Sequence, residues 1–299
     1  MMKTPLLLII YNRPDKVKEL ILSLSKIKPQ KIYVFCDGPK TKSDFVKVEQ
    51  AKNEIEKISW TKNVSTNYSQ KNNGCKYGVI KALDWFFENE KEGIILEDDC
   101  IPNKSFFDFS SQLLDKNRND QRISLISGTN LGFSDQSDNS SYFFSRNSII
   151  WGWATWSDRW QIYNKYLNMP RQKLFSKNNI KAAQRFGFSN KLIKNIIKSH
   201  KGTIDTWDFL WSYFNIIENR LSIVPSYNLI TNIGFGNGST HTKIETSLSN
   251  LKKQNMPKDI IHPTSFVSNY KFDKYITNSH KTLYILIDAI GVQIKKLFK

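Results

Sequence analysis

Short apolar runs alternate with amphipathic stretches through the first half of the chain. Leu6–Tyr11 reads as a buried strand. Pro14 follows where its fixed φ and missing N–H suit a first helical turn, and Val17, Leu20, Ile21 and Leu24 then recur at helical spacing. The same alternation predicts a strand over Ile32–Cys36, closed by the turn signal Asp37-Gly38-Pro39. A helix over Asp44–Ile58, a strand at Val64–Tyr68, a helix over Tyr77–Phe87 and a strand at Gly93–Leu96 come next. After Pro102 a helix carries Phe106, Phe107, Phe109, Leu113 and Leu114, and a strand covers Ile123–Ser127. Strands alternating with helices of this length imply βαβ units: an α/β fold whose mainly parallel sheet is flanked by helices, with right-handed crossovers.

Past Gly128 the pattern loosens. Residues 129–141 are polar and read as a loop, and Trp151, Trp153, Trp156 and Trp160 then cluster within ten residues. A helix near Thr206–Ile217, a strand at Leu221–Val224 and a Gly-rich loop over Gly234–Thr242 follow. The tail Leu283–Phe298 mixes apolar residues with Lys295 and Lys296 and suits a docking or interfacial amphipathic helix. No internal repeat is visible. The apolar run at the N-terminus is shorter than the roughly 7–15 residues of a signal-peptide core. Nor does any stretch approach the roughly 20 apolar residues needed to span a bilayer.

Composition narrows the class. At 299 residues, 39% hydrophobic and 13% aromatic, the chain can build one large or two modest cores, which excludes wholesale disorder. Three scattered cysteines, Cys36, Cys75 and Cys100, supply neither a disulfide framework nor a zinc site and suit a reducing, cytoplasmic setting. The net charge of +17 is unevenly spread. Residues 1–158 are close to balanced at +2, whereas 159–204 carry 11 basic and no acidic side chains. Lys outnumbers Arg by 36 to 8, so part of the excess is compositional background. The concentration in one stretch predicts a cationic surface facing phosphorylated glycan or an anionic membrane leaflet, where each near-surface cation contributes about 1 kcal/mol. No nucleic-acid recognition motif accompanies it.

Candidate chemistry gathers at predicted strand ends, where ligands bind in open α/β sheets. Glu97-Asp98-Asp99 directly follows one strand. Three adjacent carboxylates repel one another unless a cation or hydrogen-bond donors compensate, and the triplet reads equally as a solvated acidic turn or as a site for a divalent ion and diphosphate. Asp37 ends a second strand and taken alone reads as a turn cap. Asn12 and Arg13 end the first and suit an anion or nucleotide, or an ordinary helix start. Asp205 and Asp208 lie three apart at a helix start, where both could serve as caps. The tryptophans read first as core, with Trp151 and Trp153 the candidates for stacking on an acceptor sugar. No histidine pair has metal-ligand spacing, and no base motif supports a thiolate at Cys75 or Cys100.

Tyr11-Asn12-Arg13-Pro14, Tyr33–Pro39, Asn73-Gly74-Cys75-Lys76, Gly93–Cys100 with Phe106-Phe107, Ile126–Asn130, Trp151–Trp156, Asp205-Thr206-Trp207-Asp208 and Asn232–Gly236 with Thr240-His241-Thr242 occur in order. Together they resemble bacterial nucleotide-diphospho-sugar glycosyltransferases of GT-A fold, relatives of the N-acetylglucosaminyltransferase that acts early in eukaryotic N-glycan processing. The resemblance covers about residues 5–242. It implies a GT-A domain over 1–242, with a donor half of about 1–130, an acceptor half of about 142–242 and a basic helical insertion at 159–204, followed by an extension at 243–299. It further implies that Asp99 ligates Mn²⁺ or Mg²⁺, while Asp98 and Glu97 face the ribose and donor sugar. Asn12, Arg13 and Asp37 would hold the nucleoside, with Lys76 near the nucleotide where the eukaryotic relative has a histidine. His241 would sit on a loop closing over the diphosphate, and Asp208 would be the catalytic base. The expected activity is inverting transfer from a nucleotide-sugar, UDP-linked by preference, to a surface-glycan acceptor of lipopolysaccharide, O-antigen or capsule type. The expected place of work is the cytoplasm or the inner face of its membrane. Rival readings are a sugar-nucleotide pyrophosphorylase, against which the missing Gly-rich N-terminal loop counts, and a non-catalytic basic protein binding nucleic acid or membrane.

Overall fold

The computed structural model describes residues 3–135, 139–235 and 250–278. Strands β1 (Leu6–Ile10), β2 (Ile32–Cys36), β3 (Val64–Tyr68) and β4 (Glu92–Glu97) run parallel in the order β3-β2-β1-β4. Between them lie helices α1 (Pro14–Ile27), α2 (Lys42–Ile55) and α3 (Gly74–Asn89). β1 and β2 are apolar throughout because helices cover both faces of the sheet, while β3, at the edge, is more polar and half-exposed. Local signals start the helices: Pro14 opens α1, and Thr41 and Asp44 form a reciprocal capping box on α2.

The chain continues through β5 (Cys100–Pro102), α4 (Lys104–Asn117), β6 (Ile123–Ser127), β7 (Tyr142–Ser145) and β8 (Trp153–Trp156). Next come α5 (Ser157–Leu167), α6 (Arg171–Leu174), α7 (Lys177–Arg185), α8 (Asn190–His200), α9 (Asp208–Ile217), β9 (Leu221–Pro225) and β10 (Ile230–Asn232). The full sheet has eight strands in the order β3-β2-β1-β4-β8-β6-β9-β7, six of them pointing the same way; β8 and β7 run opposite. β5 and β10 form a separate antiparallel pair at the carboxyl end of β4. The result is a layered, Rossmann-like α/β fold with a mostly parallel central sheet, as the sequence pattern predicts.

Two cores flank the sheet. Leu6, Leu8 and Ile10 point toward α1, α2 and α4, while Leu7 points toward α3 and the α5–α9 layer. The expected donor and acceptor halves share this one sheet, because β8 is inserted between β4 and β6. The Trp151–Trp160 stretch, irregular by pattern, is ordered core. Trp153 and Trp156, an odd number of residues apart on β8, enter opposite cores, and Trp160 stacks on Tyr163 at 4.5 Å. Within the expected C-terminal extension, residues 250–278 pack onto the main sheet. Phe272 and Ile276 join Leu131 and Val224 in a third cluster, and Asp273 accepts a hydrogen bond from the Ser145 hydroxyl at 2.6 Å. The expected tail helix over Leu283–Phe298 lies outside the described residues.

Candidate functional site

The parallel register delivers three strand ends to one edge: Ile10 is level with Cys36, and Ile9 with Glu97. Arg13, just past β1, donates from Nη1 to Asp99 Oδ2 at 2.9 Å and from Nη2 to Asp98 Oδ1. Asp98 is 2% exposed, and its backbone N–H is tied to the Ile9 carbonyl at 3.1 Å. Burial pushes its carboxyl up to about 6 although Arg13 pulls the other way. Burial works against the Arg13 charge as well, yet Asp98 and Asp99 hold the guanidinium firmly protonated. Glu97 makes no side-chain hydrogen bond among the described residues; burial, then the charges of Asp99 and Asp98, push it up to about 8.

Asp208, the first residue of α9, belongs to this neighbourhood. Its charge acts on Glu97. Burial raises the Cys75 thiol well above its usual range, and the charges of Glu97, Asp208 and Asp205 add to the effect. Cys75 thus lies within the field of both the β4 carboxylate Glu97 and the α9 carboxylate Asp208, and the same environment keeps it a protonated thiol. The Thr206 hydroxyl donates to Asp208 Oδ1 and fixes that side chain. Segment 232–235 covers Asp99. The Ile233 N–H donates to the Asp99 carbonyl at 2.9 Å, and Gly234 lies so close to the Asp99 carboxylate that a Cβ there would collide with it. Phe235 meets Trp151 edge-on at 5.5 Å, which puts half-buried Trp151 beside the same roof.

Other expected site residues have structural work. The Asp37 carboxylate accepts from the backbone N–H of Asn73 and Gly74 and from the side-chain amides of Asn72 and Asn73, fixing the turn before α3. Asn12 donates to Asp44 at 2.8 Å. Two assignments are corrected. Lys76 is 1% exposed and its ammonium donates to the Ser199 carbonyl at 2.7 Å, so it ends α8 rather than standing over a nucleotide. Trp153 is 1% exposed and packed on Trp207 and Trp211, so it has no free face for a sugar. His241 and the rest of the closing loop lie outside the described residues.

The two aspartates of the Trp-Asp region separate cleanly. Asp205 accepts from the backbone N–H groups of Cys75 and Lys76 at 2.9 and 2.8 Å, capping α3 from 130 residues away, while Asn73 at the cap position makes no side-chain cap bond. Gly74 admits this approach, since any Cβ would strike the Asp205 carboxylate. Sequence reasoning missed Asp44 and Asn72. Asp44 carries a readable signal, three residues after Thr41 at a helix start; Asn72 carries none beyond its neighbourhood to Asn73-Gly74.

Among the described residues no three His, Cys, Asp or Glu side chains converge as a metal cage. A divalent ion held by one or two carboxylates and completed by phosphate oxygens needs no such cage, and Asp99, 13% exposed at its side chain beside the more buried Asp98, fits that kind of donor set.

No protein-family model matches the chain, and no curated protein matches it. Among solved structures it is similar to 4-diphosphocytidyl-2C-methyl-D-erythritol synthase from Anaerococcus prevotii, at 12% identity and a TM-score of 0.35 over 56% of this chain and 76% of that one. It is also similar to a putative glucose-1-phosphate thymidylyltransferase from Bacillus anthracis, at 11% identity and a TM-score of 0.29 over 56% and 77%. Likenesses this distant leave the site to carry the functional argument.

Proposed function

We propose that the protein is a nucleotide-diphospho-sugar glycosyltransferase of GT-A type, using Asp208 as base and Asp99 as ligand to Mn²⁺ or Mg²⁺. The observation that carries this reading is the division of carboxylates at one sheet edge. Asp98 and Asp99 are clamped by Arg13, whereas Asp208 approaches from a separate helix and makes no ion pair among the described residues. Glycosyl transfer needs that division: one group of side chains for the diphosphate and one carboxylate to take the acceptor hydroxyl's proton. Even with Glu97 pushed up to about 8 and left out of the count, Asp98, Asp99 and Asp208 outnumber the one guanidinium, so the edge is short of positive charge and a bare diphosphate would be repelled. A bound divalent ion would supply that charge and stabilise the leaving diphosphate. Arg13 holds Asp98 and Asp99 in place, Thr206 orients Asp208, and the 232–235 segment limits water near Asp99. The donor is read as UDP-linked and the acceptor as a surface glycan, both on the resemblance; with Trp153 in the core, Trp151 is the remaining aromatic candidate for the acceptor side.

A second reading is nucleotidyl transfer from a nucleoside triphosphate to a sugar phosphate, the kind of activity named in the thymidylyltransferase structure. Such an enzyme must meet a triphosphate with free cations. Here the β1–α1 turn is Tyr11-Asn12-Arg13-Pro14 without a Gly-rich loop, Arg13 is committed to two aspartates and Lys76 to a carbonyl. One assay separates the readings: a panel of nucleotide-sugars with Mn²⁺, Mg²⁺ or chelator, beside nucleoside triphosphates with sugar 1-phosphates. Metal-dependent release of nucleoside diphosphate is expected. Pyrophosphate release in the second arm would replace the reading with nucleotidyl transfer, and no metal-dependent binding or turnover in either arm would overturn both.

A further inference from the structure

The cations of residues 159–204 divide by burial. Arg159 is 1% exposed and belongs to the fold, whereas the other ten are all exposed. On α7, Lys177, Lys181 and Arg185 follow at steps of four; on α8, Lys191, Lys194 and Lys198 follow at steps of three and four. Each set therefore lies along one helix face. α8 buries Ile193 and Ile196, α7 buries Ala183, and both helices pack against α9, so the lysine faces turn away from the core. The stretch itself contains no acidic residue.

We propose that the outer face of α7 and α8 docks the protein onto an anionic phospholipid surface. The charge is delivered mainly by lysine, a strongly hydrated point charge suited to a diffuse layer of headgroups rather than to a bidentate partner. None of the large apolar side chains exposed elsewhere on the described surface falls within this stretch, so attachment is electrostatic rather than insertive. Single-stranded nucleic acid would call for aromatic faces on which bases stack, and none of the fully exposed aromatic side chains of the described residues lies in this stretch. The docked face is linked to the candidate site. Lys76 Nζ binds the Ser199 carbonyl at the end of α8, the Ser199 hydroxyl donates to the Thr206 carbonyl at 2.5 Å, and Asp205 caps α3. A membrane under α7–α8 would thus lie one short loop from Asp208. Membrane docking stands apart from the glycosyltransferase reading, since its test needs neither donor nor acceptor; that the acceptor is lipid-linked is the one clause that rests on both.

The test is co-sedimentation of the full chain with phosphatidylcholine vesicles containing or lacking 30% phosphatidylglycerol, at low and high salt, beside retention on a non-specific oligonucleotide. Binding is expected only to the anionic vesicles and is lost in high salt. K181Q/K194Q/K198Q should weaken it by about tenfold or more. The control K42Q/K47Q/K62Q, which removes the same charge from exposed positions of the other half, should leave it within about twofold. K181R/K194R/K198R should bind like the unaltered chain, which separates lost charge from a damaged fold. Equal loss in patch and control variants, salt-insensitive binding to neutral vesicles, or tighter retention on the oligonucleotide than on anionic vesicles would overturn the proposal.

Discussion

The strand-end edge and the α5–α8 layer handle charge in opposite ways. Around β1, β2 and β4 the sequence is nearly neutral, yet charged groups are driven inward: Asp98 is buried, Arg13 clamps two aspartates and Asp37 is saturated with donors. In the helical layer, residues 159–204 carry 11 cations and no acidic residue of their own, and all the cations but Arg159 are exposed. Net charge therefore misleads about where the chemistry is. An ionised group earns a functional reading when the fold has desolvated it and left it short of partners, and most of the +17 belongs to an exposed surface away from the strand-end edge.

The comparison is sharpened most by a change that keeps the shape of one side chain and removes its carboxylate charge together with its basicity. Asp208→Asn should lower kcat by about 10²–10⁴-fold, the range for loss of a general base, with donor affinity and melting temperature unchanged. Steady-state nucleoside diphosphate release and donor titration measure the two sides. Undiminished turnover in the variant would remove Asp208 from the mechanism.

Within the basic stretch, Arg159 should behave like the edge rather than like its neighbours. It donates to the carbonyls of Asn117, Arg118 and Asp120 at 2.9–3.1 Å and to both oxygens of Asp158 at 2.8 Å. Arg159→Met would strand those carbonyls and should cost about 3 kcal/mol in urea unfolding. A loss below about 1 kcal/mol would mean that water replaces the guanidinium without difficulty.

Asp205 tests the same distinction three residues from the proposed base. Its two bonds to α3 backbone donors make Asp205→Ala a cap deletion, expected to cost about 1 kcal/mol. Donor binding should survive, and kcat should fall far less than for Asp208→Asn. The two aspartates were indistinguishable in sequence because both sit at a helix start. What separates them is a partner 130 residues away, and no local pattern reports that. The same limit explains the other misreadings. Lys76 and Trp153 stand inside motifs whose position is legible, but their side chains are consumed by α8 and by the α9 tryptophans, contacts between distant segments. The legible parts were those fixed locally: apolar runs covered on both faces for β1, β2 and β6, helical spacing for α1 and α4, and polar cargo at strand ends. β8 was not legible, since four residues inserted antiparallel between β4 and β6 carry no periodicity of their own.

The smallest effect is the one that most directly defines the second region. Lys181 is exposed on α7 in a stretch without acidic residues, so Lys181→Gln removes neither a packed stem nor a neighbouring counter-charge from that stretch. Stability should change by no more than about 0.5 kcal/mol, and a gain is the expected direction, because like charges at Lys177, Lys181 and Arg185 repel along the helix face. Urea unfolding at low and high salt reads both features. The gain should shrink as salt screens the repulsion, whereas a destabilisation above about 1 kcal/mol would show that Lys181 is held by the fold. That result would move it from the surface region to the buried one and dissolve the contrast at its most exposed point.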